Sequence, residues 1–202
     1  MVCFDTGSKN LWIPDISCGT GVNSTLNTTQ CQSRDEFNSS ASSTYVANGT
    51  AFNITYGVGF AIGFDGMDTV RFGAAGSTQL VIPNTTFAQI TDFPSFLEIP
   101  VLDGLIGMGI QPNAVNNDTP PFINAIQQGL VGPLFTVYLD TAGNSAEDDP
   151  AGGDFTFGGL DLTNCGDIID WVPFRNEFRW YTVQVDNVTV DGVNISTSPG
   201  IA

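Results

Sequence analysis

The residues best suited to chemistry form a short run near the start, Phe4-Asp5-Thr6-Gly7-Ser8, followed by Asn10-Leu11-Trp12-Ile13-Pro14. An Asp inside an apolar strand is costly unless hydrogen bonds reach its oxygens. Thr6 and Ser8 offer hydroxyls, and Gly7 lets the backbone turn and present its N–H. Such a cradle would hold a sunken carboxylate ionised and aimed. Taken alone, the tripeptide is explained more simply by an Asx turn. Two later segments give it company. Thr55-Tyr56-Gly57-Val58-Gly59 lies between strand-like runs and reads as a hairpin tip. Its glycines permit a tight turn, and a single Tyr on such an arm suits a lid over a cleft. Asp103-Gly104-Leu105-Ile106-Gly107-Met108-Gly109 reads as a buried strand whose Gly107 lets another backbone pass closely.

Composition removes several alternatives. The 202 residues contain no His, which eliminates Ser-His, Cys-His and His-metal mechanisms together. Without a CxxC pair, no zinc site is expected, and no other metal or cofactor is implied. Lys plus Arg number 5 against 21 Asp plus Glu, a net charge of −16. No cationic patch could neutralise phosphates, so neither nucleic acid nor an anionic membrane is an expected partner. With 42% hydrophobic and 13% charged residues, the chain has a folded, globular composition. The acidity has two readings, a soluble secreted surface or a protein that works in acid, where protonation relieves self-repulsion.

Nine Asn-x-Ser/Thr sequons occur, at Asn23, Asn27, Asn38, Asn48, Asn53, Asn84, Asn117, Asn187 and Asn194. Chance placement would give about three, so the excess points to the secretory pathway and exposed glycans. Asn- and Thr-rich loops could also create sequons incidentally. In an oxidising compartment Cys18 and Cys31 would pair around the polar stretch GTGVNSTLNTTQ, closing a loop worth about 3 kcal/mol. Cys3 and Cys165 have no obvious partner. Met1-Val2-Cys3-Phe4-Asp5 lacks the basic and apolar regions of a signal peptide, and no apolar run approaches membrane-spanning length.

The elements that must position these residues read as all-β. Strand candidates are 51–56, 69–72, 79–82, 134–139, 154–157 and 181–185, with turn signals between them. Only 121–130 looks helical, with Phe122, Ile123, Ile126 and Leu130 on one face. One helix among many strands excludes a doubly wound fold. The Gly- and acid-rich stretch 141–153 reads as a loop near an organisational boundary.

The order of motifs resembles the pepsin-like aspartic proteases. FDTGSKNLWIP is similar to that family's first catalytic segment, and a Cys loop follows it. SSTY (42–45), then NITYGVG and GMDTVRFG, resemble the lead-in, flap hairpin and return strand. SFLEIPVLDGLIGMG, PLFTVYLD, GGDFTFGGLD and DWVPF resemble later segments in the same order, so the likeness covers nearly the whole chain. It implies an all-β, bilobal barrel or sandwich fold with an incomplete second lobe. The implied division is an N-terminal catalytic lobe over 1–133, an inter-lobe sheet segment over 134–163 and the beginning of a C-terminal lobe over 164–202.

The resemblance also implies roles. Asp5 matches the first catalytic aspartate, Thr6 a residue whose hydroxyl links the lobes, and Ser8 a hydroxyl bonded to the catalytic carboxylate. Gly7 completes the motif. Tyr56 matches the flap tyrosine and Trp12 its hydrogen-bonding partner, with Gly57, Val58 and Gly59 at the flap tip. Phe96 and Leu105 match positions lining the first apolar substrate pocket. Cys3, two residues before Asp5, falls on the same strand face as a free pocket-wall thiol. Expected partners are a peptide or protein substrate and, in a complete enzyme, pepstatin-like inhibitors. The expected state is a monomer in the secretory route, extracellular or lysosomal.

Family chemistry needs two aspartates sharing one proton around one water. This chain has no second Asp-Thr-Gly or Asp-Ser-Gly; Asp68-Thr69-Val70 and Asp140-Thr141-Ala142-Gly143 both miss the pattern. The expectation is an internal portion of a longer protease, inactive by itself. Val58 replaces a hydroxyl residue common in the family and Phe60 a small one, favouring bulkier apolar contacts at the flap. A pepsin-like fold kept for binding is the competing reading. A homodimer pooling two copies of Asp5 is disfavoured by the extra residues 134–202.

Overall fold

The computed structural model describes residues 2–20, 31, 34–57, 59–93, 102–110, 114–140, 152–175, 180–195 and 200–201. Six strands form the principal sheet: β1 (Val2–Asp5), β2 (Leu11–Pro14), β3 (Val46–Tyr56), β4 (Gly59–Phe72), β5 (Leu80–Asp92) and β6 (Gly104–Gly107). Their order across the sheet is β1-β6-β2-β5-β4-β3. β1 runs parallel to β6 and β2 parallel to β5, while β2/β6, β3/β4 and β4/β5 are antiparallel. The two long strands β3 and β4 extend well beyond the cores of the 51–56 and 69–72 candidates. Polar residues such as Asp65 and Asp68 interrupt the alternation of β4, and pairing with Ala88 and Thr85 of β5 carries the ladder through them; in β3 the register shifts between Ala47 and Ala51.

Side-chain alternation gives the sheet two apolar faces. Trp12, Phe52, Ala61, Ala88, Ile90 and Phe93 pack on one, together with the Cys18–Cys31 disulfide. Leu11, Phe72, Ile82, Phe87, Ile106, Met108 and Phe122 pack on the other. Consecutive residues of β2, Leu11 and Trp12, thus enter different clusters, as a period of two requires. The second cluster is closed by helix α1 (Pro121–Gln127) and by the hairpin β7 (Phe135–Leu139) with β8 (Gly153–Phe157). Pro121 occupies the first helical turn, where its missing N–H costs nothing, and Gly129 ends the segment in the left-handed region at φ 70°. The expected apolar helix face is adjusted in one respect. Ala125 is buried with Phe122, whereas Leu130 lies past the helix and is exposed.

The remaining strands are short: β9 (Gln184–Val185) pairs with β12 (Gly200–Ile201), and β10 (Thr189–Val190) with β11 (Val193–Asn194). The turn joining β10 and β11 is Asp191-Gly192, with φ of 50° and 76°, the pattern of a tight hairpin turn. Of the 181–185 candidate, only the last two residues are in a strand. Tyr181 and Thr182 use their side chains for other bonds.

Candidate active site

β1 decides which side chains meet. Phe4 packs into the second cluster, its ring 5.3 Å from Phe72 and 4.6 Å from Phe155. Alternation therefore turns Cys3 and Asp5 to the opposite face. Cys3 is paired in register with Leu105, and Leu105 with Trp12, so these side chains share that face with Asp5. The turn after Asp5 is stitched to the end of β6. Gly107 N–H donates to Asn10 O (3.0 Å), Met108 N–H to Asp5 O (2.8 Å) and Gly109 N–H to Ser8 O (2.8 Å). A Cβ on Gly107 would lie 2.2 Å from the Lys9 carbonyl carbon, so only glycine lets the two backbones pass.

Asp5 is half-buried, and Gly7 N–H donates to its Oδ1 at 2.8 Å. The hydroxyls expected to join this cradle do not reach it. Thr6 is exposed, and Ser8 Oγ is buried with no hydrogen-bond partner. Ser8 is held through its backbone carbonyl, which accepts from Gly109 N–H, and Gly7 N–H is the donor at the Asp5 carboxylate.

The hairpin of β3 and β4 brings Tyr56 to the same face. Trp12 is almost wholly buried, and its Nε1–H donates to Tyr56 Oη at 2.8 Å. Tyr56 is paired with Gly59, and Gly57 at the tip has open space around it. The Tyr56 hydroxyl is pushed up to about 12, by burial first and by the Asp5 charge second, with the Trp12 bond opposing. The Asp5 charge also raises the Cys3 thiol, after desolvation. Tyr56 and Cys3 thus each sense the Asp5 charge. Cys3 is free and exposed, as is Cys165. Leu105 packs against the first cluster. Val58 and Phe96, together with Asn23 and Asn27, lie outside the described residues.

Behind the site is an acidic network that sequence reasoning missed. Asn10 Nδ2 donates to Asp118 Oδ2 (3.1 Å) and to Val115 O (3.1 Å), and Asn10 Oδ1 accepts from Val115 N–H (2.9 Å). Asn116 Nδ2 donates to Asp65 Oδ2 at 2.6 Å and to Ala51 O at 3.1 Å. Asp65 is fully buried, and its Oδ1 has no hydrogen-bond partner. Burial pushes the Asp65 carboxyl up against the Asn116 bond. Asp118 is raised to about 6 by burial and by the neighbouring Asp65 charge. The network ties the segment after Asp5 to both strands of the Tyr56 hairpin. Asp65 follows a Gly-Phe pair in a strand and carries no motif, so only the fold reveals its partner. Trp180 and Tyr181, likewise unflagged in the sequence, also reach the Asp5 turn.

Comparison with known proteins decides the family. The eukaryotic aspartyl protease profile matches residues 1–202. The chain belongs to that family. It is 42% identical over 177 residues to Aspartic protease 6 of Caenorhabditis elegans, covering 87% of this chain and 43% of that protein. It is 38% identical over 193 residues to cathepsin D of Dictyostelium discoideum, covering 95% of this chain and 46% of that protein. Against cathepsin E-A of Xenopus laevis, identity is 35% over 201 residues, or 98% and 46% respectively. The chain thus spans about half the length of the curated relatives it matches. Its all-β, pepsin-like fold and its Cys18–Cys31 disulfide agree with the reading of the sequence. Among the described residues, no helix is long and apolar enough to cross a membrane.

Proposed function

We propose that this chain supplies Asp5 as one of two carboxylates in an acid-working endopeptidase centre. The carrying observation is that Asp5, Trp12 and Tyr56 share one face of the sheet, with Trp12 Nε1–H bonded to Tyr56 Oη at 2.8 Å. In such a centre one carboxylate takes a proton from water as its oxygen attacks the scissile carbonyl carbon, and the partner carboxylic acid donates to the carbonyl oxygen. Collapse of the resulting diol then breaks the C–N bond, with the proton passing to the leaving amine. Gly7 N–H engages Asp5 Oδ1, leaving Oδ2 to work on water. Trp12 donates to Tyr56, so the Tyr56 proton is left for a substrate backbone carbonyl, and a hydroxyl titrating near 12 keeps that proton at any acidic or neutral pH. Thr6 is the exposed hydroxyl available to a second lobe, and Ser8 the buried one beside the turn. Cys3, Leu105 and Phe96 are assigned to an apolar subsite wall, with Gly57, Val58 and Gly59 at the lid tip.

Acid operation is supported by the 21 carboxylates against 5 bases and by the raised Asp65 and Asp118. A secretory route with glycans is supported by the exposure of all seven described sequon residues, Asn38, Asn48, Asn53, Asn84, Asn117, Asn187 and Asn194. The division at 133/134 and 163/164 remains our assignment of lobes, and the chain is assigned as a monomer. The aliphatic Val58 favours one competing reading, a fold that binds peptides without cutting them.

The test uses the product of the complete gene beside the 202-residue chain. The expected result is pepstatin-sensitive cleavage of a denatured protein substrate between pH 3 and 5 by the former, abolished by Asp5→Asn, and none by the latter. Cleavage that survives Asp5→Asn overturns the assignment, and binding without cleavage by the complete product establishes the competing reading.

A further inference from the structure

Two adjacent aromatic residues, remote in sequence from every catalytic motif, contact the Asp5 turn from outside the principal sheet. Trp180 Nε1–H donates to the Gly7 carbonyl at 3.0 Å. The Tyr181 hydroxyl donates to the Met108 carbonyl at 2.9 Å. The acceptors lie in the two peptide segments that frame Asp5. Gly7 N–H holds Asp5 Oδ1, and Met108 N–H holds the Asp5 carbonyl. Both rings have further neighbours. The Tyr181 ring lies edge-on to Phe135 (6.3 Å) and Phe174 (6.0 Å), and Lys9 Nζ is 5.7 Å from the Trp180 ring centroid.

We propose that Trp180 and Tyr181 are positioning residues, a two-pronged clamp that fixes the peptides on either side of Asp5 and so holds its carboxylate in one orientation. The need for a clamp follows from the turn itself. Gly7 has no side chain to restrict its backbone, and the hydroxyls of Thr6 and Ser8 do not brace Asp5. A donor on the Gly7 carbonyl restrains the Gly7–Ser8 peptide, whose N–H makes a long 3.4 Å bond to Asp5 O. A donor on the Met108 carbonyl restrains the Met108–Gly109 peptide, whose N–H bonds Ser8 O at 2.8 Å. Hydrogen bonds in such chains polarise and stiffen one another. The two prongs thus act on opposite ends of the same stitched turn. The catalytic meaning of the clamp rests on the proposed role of Asp5; the clamp itself does not.

The test is amide hydrogen exchange by NMR on the 202-residue chain, with no substrate present. Trp180→Phe keeps a ring over Lys9 and deletes only the indole donor; Tyr181→Phe keeps the ring between Phe135 and Phe174 and deletes only the hydroxyl. Expected for Trp180→Phe is about tenfold faster exchange at Gly7 and Ser8, and for Tyr181→Phe the same at Gly109, the loss of one ordinary hydrogen bond. Amides of Ala88 and Ile90 in β5 should hold their rates. Unchanged Gly7, Ser8 and Gly109 amides overturn the proposal. Equal acceleration everywhere also overturns it, because that is general destabilisation. A clamp seen here alongside an inactive complete gene product would overturn the proposed function and leave the clamp standing.

Discussion

The six-stranded sheet and the stretch 160–195 are built on different terms. In the sheet, Phe52, Ala61, Ala88, Ile82 and Ile90 are at most 1% exposed, and β2, β4 and β5 bury side chains in both apolar clusters. In the later stretch, Leu162 is 81%, Ile169 101% and Trp171 67% exposed, and its strands are two residues long. The same residue types thus serve as core in one region and as surface in the other. Stability is concentrated where strands pair laterally and stack apolar faces, because apolar area counts only when it leaves water. The later stretch contributes through a few specific bonds instead, above all those of Trp180 and Tyr181.

The largest expected contrast comes from truncating a matched pair of apolar residues. Phe52→Ala should cost about 3–5 kcal/mol of unfolding free energy in a denaturant titration, since it opens a cavity in the Trp12 cluster. A loss near zero would show that the sheet face is not the core. Next is the Cys18–Cys31 link, which closes a loop with a sequence separation of 13 against the same cluster. Replacing both by Ser should cost about 3 kcal/mol by the same assay.

A smaller effect separates the buried acids from the exposed ones. Asp118 is raised to about 6 in the folded chain, so its protonated form is favoured by folding. Its stabilisation is complete below the unfolded carboxylate value and is lost as pH rises through about 6. Asp65 is raised in the same sense. Asp68 acts the other way. Burial raises it, but bonds from Ser42, Thr44 and the Thr69 amide and the Arg71 charge bring it below the usual value, so its contribution is lost only in stronger acid. Asp118→Asn should therefore stabilise the chain at pH 7 by on the order of 1 kcal/mol and leave it unchanged near pH 4. Thermal melts across that range read the difference; equal shifts at both pH values would sink the network account. Smallest of all, Ile169→Ser should alter unfolding free energy by no more than about 0.5 kcal/mol.

Much of this arrangement was legible in the sequence because it follows from local rules. Alternation placed Cys3 and Asp5 on one face; the Gly-flanked Tyr56 marked a hairpin tip; Gly107 marked a close backbone approach, which the 2.2 Å clearance for a Cβ explains. What stayed hidden depends on partners distant in sequence. Ser8 is expected at Asp5, yet its hydroxyl is buried without a partner, and the Gly109 N–H bond to its carbonyl has no sequence signature. Asp65 meets Asn116 across 51 residues, and Trp180 meets Gly7 across 173. Neither separation nor residue type announces such a pairing.

The central claim is that Asp5 and Tyr56 face one another across a single site, and the Trp12 indole bonded to Tyr56 is its natural reporter. The decisive measurement compares the Trp12 Nε1–H resonance of the native chain at pH 7 with that of Asp5→Asn. The expected result is a displaced Trp12 resonance in the variant, with the Ala88 and Ile90 amides of β5 unmoved. Superimposable Trp12 resonances would place the Asp5 charge out of reach of Tyr56 and contradict the claim.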